Sequence, residues 1–166
     1  MNSPIDITPA NENTDWNAVT AVFNYYVEHS PAAYPDEPVS SGFFLSRWQT
    51  APQYPFYTVV SDDRVIGFGY LAPFHPVRTM SRTATLTYFI LPEHTGGGIG
   101  AKVLNLLISE GIKIGITNYL AHISSLNHGS IHFHLQNGFT ECGRFKSVGS
   151  KHGQDFDMVW MQRIEA

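Results

Sequence analysis

The stretch from Tyr88 to Leu104 reads Tyr-Phe-Ile-Leu-Pro-Glu-His-Thr-Gly-Gly-Gly-Ile-Gly-Ala-Lys-Val-Leu. Its aromatic and β-branched start predicts a strand that Pro92 ends, and the residues after Gly100 have the apolar spacing of a helix. Glycines at a strand-to-helix turn let the backbone approach a ligand, and the amides at a helix N-terminus favour negative charge. The stretch therefore predicts a site for a phosphate-bearing cofactor, with a flexible glycine-rich loop as the alternative.

Two common phosphate-binding motifs do not fit these glycines. A P-loop needs a Gly-Lys-Ser/Thr sequence, whereas Gly100 is followed by Ala101, Lys102 and Val103. A dinucleotide fingerprint needs a third spaced glycine and an acidic residue on the next strand. That strand is predicted at 120–124 and carries no carboxylate. The loop therefore belongs to another class of phosphate site.

The composition indicates one globular domain that spans residues 1–166. The chain is 43% hydrophobic and 14% charged, with a net charge of −4. Because lysine and arginine are not clustered, we expect a small-molecule partner and no nucleic acid. Without a signal peptide or an apolar run of ~20 residues, we expect a cytoplasmic protein that does not enter a membrane. Cys142 is the only cysteine; we interpret it as a small buried strand residue and not as a nucleophile.

Periodicity and turn residues predict elements in the order β-α-α-β-β-β-α-β-α-β-β. The first helix begins at a Thr14 or Asp15 cap, the second covers 41–50, the third runs from the glycine loop to Gly115, and the fourth covers 128–137. The strands are predicted at 5–8, 56–61, 65–71, 83–91, 120–124, 139–148 and 156–163. Asp62 and Asp63 form the turn of the first hairpin.

The glycine loop resembles the Arg/Gln-x-x-Gly-x-Gly/Ala loop of the GNAT superfamily of N-acetyltransferases, which holds the pyrophosphate of acetyl-CoA. Residues 95–100 match this loop at Gly98 and Gly100 and depart from it at Thr95, which replaces a basic or amide side chain. The order of elements is also that of the superfamily. The resemblance implies an α/β (α+β) fold with a mixed, mostly antiparallel seven-stranded sheet. Helices would cover both faces, and the sheet would splay between the fourth and fifth strands.

Within the superfamily, almost the whole chain is similar to the phosphinothricin and methionine-sulfoximine N-acetyltransferases. Residues 127–139 match the group's Asn-x-x-Ser-x-x-Leu-His-x-x-x-Gly-Phe, and Lys151, Gly153 and Asp157 match its closing motif. The resemblance implies transfer of acetyl from acetyl-CoA to the primary amine of a small amino-acid-like substrate, in a ternary complex. It also implies a homodimer, and it implies no metal.

The resemblance further implies which residues bind the cofactor. Backbone amides of the fourth strand would hold pantetheine and polarise the thioester carbonyl. Asn127 and Ser130 would bind the pantetheine arm, although both residue types are also ordinary helix caps. The implied cofactor residues are Phe89, Ile90, Leu91, Thr95, Gly96, Gly97, Gly98, Ile99, Gly100, Ala101, Asn127, Ser130 and His134.

The catalytic base is where this chain departs from the group. Thr85 occupies the catalytic position at which the group has a glutamate, and threonine cannot accept a proton from an ammonium at neutral pH. His122 and His134 occupy the positions at which ribosomal-protein alanine acetyltransferases have a glutamate base and a tyrosine acid. Histidine titrates near pH ~6.5, so His122 is a candidate base and His134 a candidate acid. A water chain or a carboxylate from Asp36 or Glu37 is the alternative base.

The substrate end carries further departures. The resemblance implies substrate contacts from Tyr34, Phe74, Arg78, Met80 and Arg82, with Met80 in place of a tyrosine and either arginine as a partner for a substrate carboxylate. Two other functions stay open. One is a non-catalytic acyl-CoA-binding protein, and the other is an enzyme that acetylates protein N-termini.

Overall fold

The computed structural model describes residues 3–166. These residues form seven strands and four helices in the order that the sequence predicts. The strands are β1 (Ile5–Pro9), β2 (Phe56–Ser61), β3 (Arg64–Pro73), β4 (Thr83–Ile90), β5 (Asn118–Ser124), β6 (Thr140–Lys151) and β7 (Gln154–Ile164). The helices are α1 (Trp16–His29), α2 (Gly42–Thr50), α3 (Ile99–Lys113) and α4 (His128–Gln136). None of the helices described is long and apolar enough to cross a membrane.

The described strands form one sheet with the order β1-β2-β3-β4-β5-β7-β6. Neighbours are antiparallel except β4 and β5, which run parallel. Parallel neighbours need a long crossover connection, and α3 lies within the one that joins them. The mixed, mostly antiparallel architecture expected from the sequence is confirmed.

The contact between β4 and β5 is short. Residues 83–85 of β4 pair with residues 118–120 of β5, and the pairing ends there. Beyond this point β4 continues along β3 as far as Ile90, while β5 continues along β7 as far as Ser124. The two strands therefore diverge and leave a V-shaped gap, which confirms the predicted splay.

Helices cover both faces of the sheet. On one face α1 and α2 pack over an aromatic cluster that includes Phe23, Phe44 and Phe68. On the other face α3 packs through aliphatic residues such as Val103. Gly69 of β3 makes the second contact close, because a Cβ at this position would lie 2.6 Å from Cγ1 of Val103. Because successive side chains of β3 point to opposite faces of the sheet, the aromatic cluster lies on one face and the aliphatic cluster on the other.

The structure confirms the predicted start of the first helix and the predicted turn of the first hairpin. The Asp15 carboxylate accepts a hydrogen bond from the Ala18 amide at 3.0 Å and begins α1. Of the two candidate caps, Asp15 is therefore the one used. Asp62 and Asp63 have φ values of +49° and +58°, which suit the tight turn of a two-residue hairpin.

The edge strand β6 differs from the expectation. Residues 140–148 are all exposed, and the interpretation of Cys142 as a buried residue was wrong. The physical reason is position, because β6 is the outermost strand and pairs only with β7 among the described strands. Burial returns at Lys151, the last residue of β6.

Candidate active site

The gap between β4 and β5 opens into a cavity of about 920 Å³. Its walls come from β4, the glycine loop, the junction of β5 and α4, and the segment between α1 and α2. The predicted site residues that line it are Tyr34, Phe89, Ile90, Thr95, Gly96, Gly98, Gly100, Ala101, His122, Asn127, Ser130 and His134. The fold thus brings the glycine loop and both candidate histidines to one cavity.

The glycine loop presents the start of α3 to this cavity. Gly96 and Gly98 have φ values of +81° and +80°, which a side chain would strain, and Gly98 precedes the first residue of α3. No side chain caps the helix, so its first amides and its positive dipole end suit an anion. Thr95 is uncharged, and its hydroxyl donates a hydrogen bond to the Pro92 carbonyl at 2.7 Å.

Two predicted cofactor residues of the loop lie away from the cavity lining. Ile99 is 7% exposed and belongs to the aliphatic core, which anchors the start of α3. Gly97 does not line the cavity, and a Cβ at this position would meet no atom within 4 Å. The roles assigned to these two residues stay predictions.

The β4 wall supplies fewer free backbone groups than the sequence suggested. The Leu91 amide donates to the Ile66 carbonyl at 2.8 Å, and the Tyr26 hydroxyl donates to the Ile90 carbonyl. Leu91 does not line the cavity. The backbone edge that faces the gap without a strand partner therefore lies within residues 86–90.

Asn127 and Ser130 shape the start of α4. Asn127 Oδ1 accepts a hydrogen bond from the Ser130 amide at 3.2 Å, so Asn127 is the N-cap of this helix. This geometry satisfies the ordinary capping role. The Asn127 side-chain nitrogen, Nδ2, has no acceptor among the described residues, and both residues line the cavity. Capping and ligand binding are therefore compatible here.

His134 is buried and uses both ring nitrogens. Its Nδ1 lies 2.7 Å from the Ser130 carbonyl, and its Nε2 lies 2.6 Å from the Tyr88 hydroxyl. A carbonyl only accepts, so Nδ1 carries the proton and the neutral ring accepts from Tyr88 at Nε2. Burial lowers the pKa of His134, although the Ser130 carbonyl opposes this shift. Burial also raises the pKa of Tyr88.

His122 has a different environment. Its ring stacks on Tyr34 with centroids 5.5 Å apart and an interplanar angle of 15°. The centroid of the Trp160 ring lies 5.0 Å from that of His122. The Tyr34 hydroxyl lies 3.4 Å from Nδ1, a long hydrogen bond. His122 is exposed to the cavity, yet the surrounding protein desolvates its charged form and lowers its pKa. It can therefore take up a proton without breaking a strong hydrogen bond.

Thr85 and the predicted substrate loop do not line the cavity. Thr85 lies at the last β4–β5 pair, and its hydroxyl is 3.5 Å from the Ala72 carbonyl. Arg78 and Arg82 are exposed. Phe74 touches Trp160, with ring centroids 6.3 Å apart. The predicted substrate residues outside the cavity are Phe74, Arg78, Met80 and Arg82.

Tyr88 and Arg47 are two of the polar cavity residues to which the sequence interpretation assigned no role. Tyr88 begins the stretch 88–104 that contains the glycine loop, but only the fold places its hydroxyl against His134. Arg47 lies on α2 with its guanidinium 3.7 Å from the centre of the Phe43 ring. Phe43 and Arg47 are four residues apart on this helix, and that spacing was the sequence signal for their contact. Of the described lysines and arginines, Arg47 alone lines the cavity.

The fold and this site define an acetyltransferase. The model of the Acetyltransferase (GNAT) family matches residues 19–139, and the chain belongs to this family. The L-methionine sulfoximine/L-methionine sulfone acetyltransferase of Salmonella typhimurium is 33% identical over 155 residues, which cover 91% of this chain and 90% of that protein. The family expected from the sequence is confirmed.

Solved structures agree with this assignment. A phosphinothricin acetyltransferase from Sinorhizobium meliloti, solved in complex with acetyl-CoA, matches with a TM-score of 0.90 and 26% identity, over 98% of this chain and 89% of that one. A ribosomal-protein-alanine N-acetyltransferase from Brucella melitensis matches with a TM-score of 0.87 and 29% identity, over 96% and 99% of the two chains.

The neutral state of His134 predicts a pH-dependent stability. Its pKa in the fold is below the unfolded value of about 6.5, so the unfolded chain binds more protons between the two values. The contribution of neutral His134 to the free energy of unfolding is complete above about pH 6.5. It is lost as the pH falls from there through the pKa of His134 in the fold. Each unit of pKa difference contributes about 1.4 kcal/mol. His134→Gln, which retains an acceptor for Tyr88, should reduce this pH dependence.

Urea unfolding at pH 7.5 and pH 5.5 measures the effect. The matched control is His132→Gln, since His132 is exposed on the same helix; it should retain the wild-type difference between the two pH values. An unchanged difference in His134→Gln would show that His134 is not held neutral.

Proposed function

We propose that the protein transfers the acetyl group of acetyl-CoA to the primary amine of a small amino-acid-like molecule. One observation carries the proposal: a single continuous cavity joins the start of α3 to His122 along the unpaired edge of β4. A phosphate-bearing cofactor fits one end of this cavity, and a proton acceptor lies at the other. The printed activities of the relatives support the same substrate class.

The glycine loop would hold the diphosphate of acetyl-CoA at the start of α3. The unpaired edge of residues 86–90 and the Asn127 side chain would hold the pantetheine arm. When bound, acetyl-CoA supplies a thioester whose carbonyl carbon the amine attacks, so that the new C–N bond replaces the C–S bond. The β4 amides that face the gap would stabilise negative charge on the carbonyl oxygen.

His122 would take the proton of the incoming amine. It is the candidate base that is exposed to the cavity, and its depressed pKa keeps it neutral near pH 7. Thr85 cannot perform this step, and its hydroxyl lies outside the cavity lining. The carboxylates of Asp36 and Glu37 are exposed and also lie outside this lining. The geometry therefore favours His122 over the loop carboxylates.

Tyr88 would donate a proton to the leaving thiolate, which becomes a thiol. The sequence assigned this role to His134, but the His134 proton is on Nδ1 and is bound to the Ser130 carbonyl. Tyr88 also lines the cavity, and its hydroxyl carries the proton of its hydrogen bond to His134 Nε2. Burial raises the pKa of Tyr88, so the hydroxyl keeps its proton at rest, and a tyrosinate formed by the transfer would take a proton back from water. His134 would orient the hydroxyl.

The acceptor end of the cavity suits a molecule with an apolar part and a negative charge. Aromatic rings of α1, α2 and β4 line it, among them Phe23, Phe43 and Phe89. The Arg47 guanidinium is the charge that this wall offers, and no described carboxylate pairs with it. We therefore prefer Arg47 to Arg78 or Arg82 as the partner of a substrate carboxylate.

A second candidate function is acetylation of a protein N-terminus. The position of His122 favours it, as does the match to the Brucella melitensis enzyme. The aromatic wall and its single arginine favour a free amino acid over a peptide, because a peptide lacks the α-carboxylate beside its amine. We retain the small-molecule activity as the main proposal.

We also propose a homodimer and a cytoplasmic location, and we treat residues 1–166 as one domain. The dimer is supported by the exposed side of β6, where Phe145 and Val148 are 58% and 54% exposed. The single sheet supports the assignment of one domain. The location rests on the sequence expectation alone.

The first prediction for this function concerns the glycine loop. A ligand that binds only the folded state at a hundredfold excess over Kd adds about 2.7 kcal/mol to the free energy of unfolding. Gly100→Val should abolish the thermal shift by acetyl-CoA, because a side chain on the cavity wall blocks the backbone. Gly97→Ala is the matched control, since its new Cβ meets no atom and its amide remains. An unchanged shift in Gly100→Val would contradict the cofactor site.

A panel of amines tests the reaction itself. Phosphinothricin, methionine sulfone, aminoglycosides, polyamines and peptides with N-terminal alanine are compared by kcat/KM. Amino acids with apolar side chains should be the best substrates, and Arg47→Met should raise their KM about 10-fold or more, since a hydrogen bond to a charged group contributes about 1.5–3 kcal/mol. The α-amides of the same amino acids serve as controls that lack the carboxylate and should not respond to this substitution.

The panel also separates the alternatives. Preference for the peptides would favour N-terminal acetylation. Acetyl-CoA binding without turnover of any amine would favour a non-catalytic acyl-CoA-binding protein.

The third prediction concerns the base. Below the pKa of His122 the ring is protonated and cannot accept a proton, so kcat/KM should fall as the pH is lowered. This acid limb should lie below pH 6.5, because burial lowers the pKa. His122→Ala should remove the limb and reduce kcat/KM by ~10²-fold or more. Thr85→Ala is the control and should cost little; a wild-type profile in His122→Ala would refute the assignment.

A further inference from the structure

Lys151 is a buried cation outside the cavity. It is the last residue of β6 and only 5% exposed. Its Nζ donates to the Ser30 carbonyl at 3.0 Å and to the Ala33 carbonyl at 2.7 Å. These carbonyls lie 121 and 118 residues earlier in the chain, in the segment between α1 and α2. The lysine thus ties the tip of the last hairpin to this segment.

The tied segment is a wall of the cavity. Its lining residues are Ser30, Ala32, Ala33, Tyr34 and Pro35. A buried ammonium is costly unless its N–H groups find acceptors, and the two carbonyls supply them. Burial lowers the pKa of Lys151, and the Asp36 carboxylate of the same segment opposes this shift. The segment that Lys151 holds therefore offsets part of the cost of burying its charge.

A stack of rings connects this wall to the candidate base. The Tyr34 ring stacks on Phe156, with centroids 5.6 Å apart at 10°, and on His122, with centroids 5.5 Å apart at 15°. Gly149 allows this packing, because a Cβ there would lie 2.2 Å from Cζ of Phe156. Among the described contacts of His122, Tyr34 is the group that titrates, and its pKa is raised by burial. Movement of Tyr34 would uncover one face of the His122 ring.

We propose that Lys151 is a positioning residue for the acceptor end of the site. By holding the Ser30 and Ala33 carbonyls, it fixes Tyr34 against His122. It thereby sets both the shape of the acceptor wall and the solvation of the base. The catalytic part of this inference rests on the proposed function, whereas the structural link between Lys151 and His122 does not.

The test compares Lys151→Met with Lys146→Met. Methionine keeps much of the aliphatic length of lysine and removes all its N–H donors. The two carbonyls then lack a partner, and the segment must shift to bring them to water. Lys146 is exposed on the same strand and provides the matched control. Each variant is measured for the NMR titration of the His122 ring, for the acetyl-CoA Kd and for the steady-state constants of the preferred amine.

We expect three results for Lys151→Met. The titration midpoint of His122 moves up towards the ordinary histidine value, because the covering ring is displaced. The KM of the amine rises about 10-fold, as for a lost contact to the substrate, while the acetyl-CoA Kd is unchanged. Lys146→Met behaves as the wild type in all three measurements.

A purely stabilising role for Lys151 would give a different pattern. A folded Lys151→Met protein with unchanged His122 titration and unchanged KM would overturn the proposal. If the midpoint moves but the wild type acetylates no amine, the link stands and the proposed function fails. Should Lys151→Met not fold, Lys151→Gln is measured in the same way. Its amide retains a donor for one carbonyl, and the changes should have the same directions and be smaller.

Discussion

The short parallel contact between β4 and β5 is the constraint on which the site depends. Three residue pairs join the strands, and each strand is then held to a different neighbour, β4 to β3 and β5 to β7. Neither strand can close the gap without giving up its antiparallel ladder. Backbone groups without partners inside a fold are costly unless a ligand or water satisfies them. The topology therefore creates a binding groove before any side chain is considered.

Side chains then give the two ends of the groove different chemistry. At the α3 end the glycines bring a helix N-terminus to the cavity, and no charged side chain is needed for anion binding. Across the middle, the hydrogen bond between Tyr88 and His134 connects β4 to α4. At the other end, Tyr34 stacks on His122 and Trp160 contacts it at a tilt. The two histidines therefore differ in their capacity to take up a proton. Both ring nitrogens of His134 are hydrogen-bonded, whereas His122 can take up a proton without losing a strong hydrogen bond.

The acceptor wall depends on contacts between distant parts of the chain. The segment between α1 and α2 has few regular backbone hydrogen bonds of its own, so its position is set from outside. Lys151 holds its carbonyls, and Phe156 and His122 hold the ring of Tyr34. A buried charge is an expensive anchor, but it is also directional, since an ammonium needs its acceptors within hydrogen-bonding distance. The end of the cavity proposed for the cofactor is therefore built from local sequence, and the end proposed for the acceptor is built from tertiary contacts.

The sequence by itself determined the order of elements, a helix cap at Thr14 or Asp15, the glycine loop and the presence of two candidate histidines, because these depend on residues close together in the chain. The tertiary structure decided which of them act together. Thr85 lies in β4 and Arg82 directly precedes this strand, yet both lie outside the cavity lining. Arg47 and Lys151, which the sequence interpretation assigned no role, reach the site or its wall across the fold. Exposure of Cys142 likewise followed from the edge position of β6. Strand periodicity fixes which residues share a face, but contacts between residues more than a hundred positions apart depend on how the layers pack.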